Sequence, residues 1–207
     1  MKNTTTILIA DDHAIVRMGL ASLIGTQDGL EVIGDAEDGE AAVAKALKLK
    51  PDVVIMDLMM PKKAGETATV EIHAALPDTK IVILTTFGTS DGIANALNAG
   101  ASGALMKSAP NSQLVETIRA VARGERAISE DVERLMEEDP PAKALTPRQM
   151  EILDGLTRGL TNQDIAKELG IREDRVKGHV NTIFTKLGAA NRTEAVAIAL
   201  RKHLLKI

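Results

Sequence analysis

Polar residues follow buried, strand-like runs at four places in the N-terminal part of this 207-residue chain. Short apolar runs rich in Val and Ile, such as the "VVIM" that precedes Asp57, are typical of strands buried on both faces of a parallel sheet. An ionised carboxylate at such a place costs free energy unless it is paired. Asp57 must therefore emerge at the open end of its strand or have partners there. The polar residues at the ends of the predicted strands are Asp11, Asp12, Asp57, Thr85 and Lys107.

These side chains together suit phosphoryl transfer to a carboxylate. Sites in an open parallel sheet form outside the carboxyl ends of the strands, so we expect the whole set at one edge. Clustered carboxylates repel one another, and a hard divalent cation such as Mg²⁺ removes that repulsion. Ionised Asp57 could then attack phosphorus and become an aspartyl phosphate. The Lys107 ammonium and the Thr85 hydroxyl would stabilise phosphoryl oxygens.

Each of these residues also has a purely structural explanation when it is taken alone. Asp11 or Asp12 could cap the following helix, and Thr85 could be a strand hydroxyl with a local partner. Lys107 could be a solvated lysine, and Asp57 could begin a turn. The matched positions of the whole set at strand ends favour a common site.

The elements that must position this set alternate between strand and helix along residues 1–125. Such alternation predicts a parallel sheet with helices on both faces and right-handed connections. The predicted strands are 5–10, 30–36, 52–57, 80–86 and 102–107, and the predicted helices lie near 14–25, 38–49, 66–75, 91–98 and 111–123.

The rest of the chain changes character twice. Residues 125–144 are charged and contain Pro140 and Pro141, so we expect a short acidic helix and an acidic linker between domains 1–124 and 145–207. The last part is helical only, with a helix start at Thr146 and Pro147 and helix ends at three glycines. Its predicted helices are 147–158, 162–169, 173–187 and 192–205, and the glycines are Gly159, Gly170 and Gly188.

Charge and composition limit the possible partners. Residues 1–125 carry 11 Lys and Arg against 16 Asp and Glu, whereas residues 145–207 carry 11 against 7. This asymmetry predicts a polyanion partner for the last part, although a chance imbalance is an equal alternative.

The chain lacks Cys, Trp and Tyr, which argues against disulfides, thiolate metal sites and stacking on single-stranded nucleic acid. Without a signal peptide or a membrane-spanning run, we expect a cytoplasmic protein.

The basic region contains a helix-turn-helix pattern. An apolar face on its first helix, with Ile165 and Leu169, is followed by a turn at Gly170 and a second helix. Residues on one side of that helix are apolar, and the other side is expected to enter the major groove of double-stranded DNA. The alternative is a helical docking domain with a solvated basic face. The candidate DNA-binding residues are Arg175, Lys177, Gly178, His179, Asn181, Thr182 and Lys186.

The segments "LIADDH", "DVVIMDLMMPKKAG", "ILTTF" and "NAGASGALMK" resemble the receiver domain of bacterial two-component response regulators across roughly residues 5–123. The resemblance implies an α/β flavodoxin-like fold with strand order 2-1-3-4-5. Many receivers have an aromatic switch residue where this chain has Ala104, so a shallow switch is expected unless Phe87 substitutes. The implied roles are phosphoacceptor for Asp57, Mg²⁺ ligands for Asp11, Asp12, Asp57 and the Met59 backbone carbonyl, and switch residues for Thr85 and Lys107.

The segments "LTPRQMEIL", "GLTNQDIA", "VKGHVNTIFTKLG" and "NRTEAV" are similar to the LuxR/NarL-type DNA-binding domain across roughly residues 145–205. Together the resemblances imply a transcription regulator whose dimerisation and DNA binding are controlled by phosphorylation at Asp57. A sensor histidine kinase or a small acyl phosphate would be the phosphodonor, and residues 192–205 would contribute to a homodimer. Gly178 inside the recognition helix costs about 1 kcal/mol relative to Ala.

Two other functions compete with this interpretation. One is a DNA-binding regulator that works without phosphorylation and has a degenerate receiver. The other is a phosphotransfer enzyme with an aspartyl-phosphate intermediate, but "DLMMP" offers no acid two residues beyond the nucleophile to act as general acid. We therefore expect a protein that takes part in its own phosphoryl transfer without being an enzyme.

Overall fold

The structure is a computed structural model that describes residues 4–86, 90–141, 145–202 and 204–205. Phe87 lies outside these residues. The chain divides into two compact units, residues 1–140 and 141–207. Across the described ranges, every helix is too short or too polar to cross a membrane.

The first unit contains a parallel sheet of six strands in the order β2-β1-β3-β4-β5-β6. The predicted order of the first five strands is confirmed, and a sixth strand extends the sheet beyond β5. The strands are β1 Thr5–Ala10, β2 Leu30–Ala36, β3 Val53–Met56, β4 Lys80–Thr85, β5 Gly103–Met106 and β6 Ala127–Ile128. The helices are α1 Ala14–Gly25, α2 Gly39–Leu49, α3 Gly65–Ala75, α4 Ser90–Asn98, α5 Asn111–Ala122 and α6 Glu130–Glu138.

The two faces of the sheet form two separate cores because successive strand residues point to opposite sides. Val53 and Ile55 of β3 pack on the face covered by α1 and α5. Val54 and Met56 pack on the face covered by α2, α3 and α4. All four residues of β3 are buried, which explains why the strand is apolar throughout its length.

A strand and a helix occupy most of the predicted linker 125–144. β6 pairs with β5, and the Ser129 N–H donates to the Ala104 carbonyl at 3.0 Å. The expected acidic helix is α6, whose Val132 is fully buried in the core on the face covered by α2, α3 and α4. Its apolar residues recur at helical spacing and pack on the sheet, so this segment belongs to the first compact unit. The functional domain limits stay a prediction.

The second unit contains helices α7 Pro147–Thr157, α8 Asn162–Leu169, α9 Glu173–Leu187 and α10 Arg192–Arg201. Thr146 caps α7 in a capping box with Pro147 in the first turn, as predicted. The predicted extension of the last helix to residue 205 is wrong. The Leu204 N–H donates to the Ala199 carbonyl at 3.0 Å, and Leu204 packs on the core. The chain therefore ends α10 in a tight turn here and does not continue as a helix.

Val132→Ala should lower the free energy of unfolding of the first unit by about 2 kcal/mol, because it removes buried methyl groups and leaves a cavity. Glu133→Ala, on the exposed side of the same helix, is the matched control and should be nearly neutral. Since the chain lacks Trp and Tyr, unfolding is followed by circular dichroism and by hydrogen exchange of the β5 amides. Equal stability of the two variants would mean that α6 does not contribute to this core.

Candidate functional site

The carboxyl edge of the sheet places the predicted polar residues on neighbouring strands. The hydrogen-bond ladder continues past the strand ends, since the Asp57 N–H donates to the Ala10 carbonyl at 2.9 Å and the Lys107 N–H to the Thr85 carbonyl at 2.7 Å. Asp11 follows Ala10 directly. The strands themselves therefore fix where these side chains begin, as the sequence predicted.

Lys107 joins two of the carboxylates. Its Nζ lies 2.6 Å from Asp11 Oδ2 and 2.7 Å from Asp57 Oδ2. The side chains of Lys107, Asp11 and Asp57 are 10%, 2% and 4% exposed. Removing the ammonium would leave two buried carboxylates without compensation, which is far more costly than losing an exposed ion pair.

Burial and pairing act in opposite directions on these groups. Burial raises the pKa of Asp57 above the ordinary value of an aspartate, and the hydrogen bond and charge of Lys107 only partly offset this. Burial lowers the pKa of Lys107, but hydrogen bonds to Asp11 and Asp57 outweigh it and leave that pKa raised. Lys107 therefore stays cationic at neutral pH and favours the ionised form of Asp57.

Two buried oxygens at this edge lack hydrogen-bond partners among the residues that the structure describes. They are Asp57 Oδ1 and Thr85 Oγ1, on residues that are 4% and 1% exposed. Buried polar atoms are nearly always hydrogen-bonded, and each exception costs free energy. Two such atoms at the carboxyl edge of the sheet are available to bind a polar ligand.

Asp11, Asp12, His13 and Asp57 each offer one ligand atom, and these atoms lie within 4.8 Å of one another. Carboxylate oxygens are the ligands that Mg²⁺ prefers, and Asp12, which is partly exposed, leaves room for water ligands. The donor set and the partnerless Asp57 oxygen therefore fit a hard divalent cation. His13, whose Nδ1 lies 2.6 Å from Asp12 Oδ1, is a neighbour that the sequence did not predict. Its position directly after the acidic pair was the available signal.

The loop after Asp57 approaches the site through its backbone. The Gly65 N–H donates to the Leu58 carbonyl at 2.9 Å, and a Cβ on Gly65 would lie 2.0 Å from the Asp57 carbonyl oxygen. Only glycine therefore allows α3 to begin there. Met59 lies in the same loop and is 54% exposed. The role of its carbonyl stays a prediction.

Helix α9 carries the second predicted set in the other unit. Its buried residues are Val176, Val180, Ile183 and Leu187, which confirms the predicted apolar side. Most of the candidate DNA-binding residues are exposed, whereas His179 and Lys186 are half-buried. The exposed candidates are Arg175, Lys177, Gly178, Asn181 and Thr182.

Two of the cations on α9, Lys177 and Lys186, already have protein partners. Lys177 Nζ lies 2.9 Å from Glu173 Oε1 one turn earlier, an exposed pair that contributes little and exchanges readily. Lys186 Nζ donates to Gln149 Oε1 at 2.9 Å, and Gln149 also closes the capping box of α7. Lys177 is therefore free to turn toward a phosphate, whereas Lys186 also contributes to packing within the unit.

Comparison with known proteins identifies both units. Residues 7–119 match the response regulator receiver domain, and residues 143–199 match the bacterial regulatory proteins of the luxR family. The chain belongs to the LuxR-type response regulators. As the motifs predicted, this response regulator combines a receiver with a LuxR-type DNA-binding domain. Its relatives are transcription regulators, which argues against an enzyme.

Relatives of the regulator match over nearly their whole length. It is 39% identical to the transcriptional regulatory protein LiaR of Bacillus subtilis, over 96% of this chain and 98% of LiaR. The crystal structure of response regulator ChrA, from a heme-sensing two-component system, is 36% identical with a TM-score of 0.58 and covers 98% and 100% of the two chains. RcsB from Salmonella enterica serovar Typhimurium, bound to the promoter P1flhDC with the phosphomimetic BeF3-, is 27% identical with a TM-score of 0.72 and covers 96% and 99%.

Gly178→Ala should raise the free energy of unfolding of the second unit by about 1 kcal/mol, because a helix-interior glycine is replaced by a better helix former. A Cβ at this position meets no atom within 4 Å, so packing does not require glycine. Gly19→Ala on α1, where a Cβ also meets no atom within 4 Å, should stabilise only the first unit and serves as the control. Denaturation curves measure both effects.

DNA titrations of the Gly178→Ala protein separate the two explanations for this glycine. Weaker binding by a more stable protein would mean that α9 needs close approach to DNA at this point. Unchanged binding would mean that the glycine only weakens the helix. A loss of stability would contradict the prediction itself.

Proposed function

We propose that Asp57 of this response regulator accepts a phosphoryl group, and that this modification controls dimerisation and DNA binding by α9, and hence transcription. The observation that supports it most strongly is the Lys107 ammonium held between Asp11 and Asp57. Beside it lie two buried oxygens, on Asp57 and Thr85, that have no partner among the described residues. This arrangement places a nucleophile, a cation and a hydroxyl donor at one edge of the sheet.

The residues divide the chemistry among them. An Asp57 carboxylate oxygen attacks phosphorus, its new bond forms as the bond from phosphorus to the donor's leaving atom breaks, and the donor keeps that electron pair. The donor is a phosphohistidine of a sensor kinase or a small acyl phosphate. The Lys107 ammonium donates a hydrogen bond to one phosphoryl oxygen and offsets its charge, and the Thr85 hydroxyl donates to another.

Mg²⁺ would be held by the carboxylates of Asp11, Asp12 and Asp57, with the Met59 carbonyl as a further ligand. What the ion supplies is positive charge that offsets the carboxylates and the incoming phosphoryl oxygens. Asp12 is the most exposed of the three carboxylates, so it faces the side from which a hydrated ion and a phosphodonor arrive.

A physical route leads from the site toward the second unit. Thr85 ends β4, and its movement toward the phosphoryl group shifts the neighbouring β5 strand and the start of α4. Ser90, the first residue of α4, donates from Oγ to Asp139 Oδ2 at 3.2 Å. Asp139 follows α6 directly and precedes Pro140, the last residue of the first unit. A change at Thr85 therefore reaches the residues that lead to the DNA-binding unit.

The switch is shallow in this proposal. Ala104 is fully buried on the face of the sheet that α6 covers, and its carbonyl is bonded to Ser129. No aromatic ring at this position can rotate inward behind Thr85. The resting protein then samples the active arrangement, and phosphorylation shifts the populations only modestly.

DNA binding uses the exposed face of α9. Its cation at Lys177 and its amide and hydroxyl at Asn181 and Thr182 can contact phosphates and base edges in a major groove. The similarity to RcsB, whose structure is bound to a promoter, supports DNA binding by this chain. A homodimer through α10, whose Leu200 is 43% exposed, would present two such helices to the DNA.

Acetyl phosphate with Mg²⁺ should phosphorylate the parent protein, and Asp57→Asn should abolish it, because the amide is not a nucleophile. Intact-mass measurement detects the added phosphoryl group. Asp78→Asn changes an exposed aspartate away from this site and should be labelled like the parent, whereas chelation of Mg²⁺ should prevent labelling. Equal labelling of Asp57→Asn and the parent would refute Asp57 as the acceptor.

DNA binding and dimerisation should be measurable without phosphorylation and should increase with beryllofluoride by less than about tenfold in affinity, or about 1.4 kcal/mol. Titrations at fixed salt use DNA from upstream of the regulator's own gene, and analytical ultracentrifugation follows dimerisation. A resting protein that is monomeric and does not bind DNA, but that beryllofluoride activates fully, would show that this chain switches strongly without an aromatic residue at position 104.

A further inference from the structure

Arg17 on α1 is bonded to the backbone of the acidic site. Its Nη1 donates to the Asp11 backbone carbonyl at 2.8 Å, and its Nε donates to Asp35 Oδ2 at 2.7 Å. The Arg17 side chain is only 14% exposed. The guanidinium therefore joins α1, the end of β1 and β2 at one point beside the carboxylates.

The carbonyl that Arg17 holds belongs to the peptide group between Asp11 and Asp12. Because that group is planar, fixing its oxygen also fixes the N–H and the Cα position of Asp12. Asp11 has further anchors, since its Oδ1 accepts from the His13 N–H at 2.8 Å and its Oδ2 is paired with Lys107. Asp12 is partly exposed, and within the part of the chain that the structure describes its carboxylate is paired with His13. The direction of Asp12 depends more on its backbone, and hence on Arg17.

We infer that Arg17 is a positioning residue that directs the Asp11 and Asp12 carboxylates toward a shared divalent cation. The inference rests on the proposed Mg²⁺ site, which it deepens. Arg17 does not touch the ion or the phosphoryl group. It acts through the Asp11–Asp12 peptide, in the way that outer partners orient metal ligands elsewhere.

The charge of Arg17 and its hydrogen bond have opposite effects on a cation. A guanidinium repels Mg²⁺, so losing only its charge would tighten binding. Losing the bond to the Asp11 carbonyl would loosen the turn and weaken binding. Arg17→Gln would leave the Asp35 carboxylate unpaired, but the side chains of Asp35 and Asp12 are 55% and 31% exposed, so water screens much of this change in charge. The lost hydrogen bond should therefore be the larger effect, and Arg17→Gln should bind Mg²⁺ more weakly.

Isothermal titration of the full chain with MgCl₂ tests this inference. Arg17→Gln should raise the Kd for Mg²⁺ by about tenfold, the lower limit for losing an outer partner of a metal site. Arg119→Gln is the matched control, because Arg119 also donates from Nη2 to a backbone carbonyl, that of Asp28 at 3.0 Å, away from the site. That variant should bind Mg²⁺ like the parent.

A second variant and a second measurement separate positioning from simple loss of stability. Arg17→Lys keeps the charge and much of the packing but cannot donate in both directions, so it should also weaken Mg²⁺ binding. Hydrogen exchange without Mg²⁺ should be faster at the His13 amide, which donates to Asp11 Oδ1, in both Arg17 variants at matched global stability, and unchanged in Arg119→Gln.

The outcomes distinguish this inference from the proposed function. Folded Arg17 variants that bind Mg²⁺ as the parent does would overturn the positioning role and leave the metal site intact. Tighter binding would also overturn it and would assign Arg17 a purely electrostatic effect. A parent protein that shows no Mg²⁺ binding would instead overturn the metal site and, with it, this inference.

Discussion

The ammonium of Lys107 lies between the carboxylates of Asp11 and Asp57, 2.6 and 2.7 Å from their oxygens, and the site depends on this contact. Two buried negative charges on neighbouring strands would repel each other without it. The contact is possible because β1, β3, β4 and β5 end at one level, with their hydrogen-bond ladders continued one residue further. The sheet therefore acts as a support that brings two carboxylates and one ammonium together at its buried carboxyl edge.

Much of this support can be predicted from the sequence because its signals are local and repeated. Runs such as Val53–Met56 are short, β-branched and apolar on both faces, and a polar residue follows directly. In an open parallel sheet, this pattern places Asp57 and Lys107 at the same edge without any knowledge of distances. The apolar side of α9 is equally visible, because Val176, Val180 and Leu187 follow the helical period.

The features that could not be predicted have weaker or non-local signals. β6 has only two residues, too few to show a period, and the acidic composition around it masks the apolar stripe of α6. The contact of Arg17 with the Asp11 carbonyl involves the backbone, and any residue type could supply that acceptor. The end of α10 at Arg201 depends on Leu204 packing onto the core, which only the folded unit specifies.

The short strand β6 also affects local unfolding of the receiver unit. Strand β5 would otherwise present an open edge, a template on which other chains could add strands. Its cover is a two-residue pairing at Ala127 and Ile128, and the following helix α6 packs on the sheet through the buried Val132. Segments with so few bonds open locally at a smaller free energy than the centre of a sheet. We therefore expect β6 to open at a smaller free energy than the central strands, and its opening exposes the backbone of β5 to pairing with other chains.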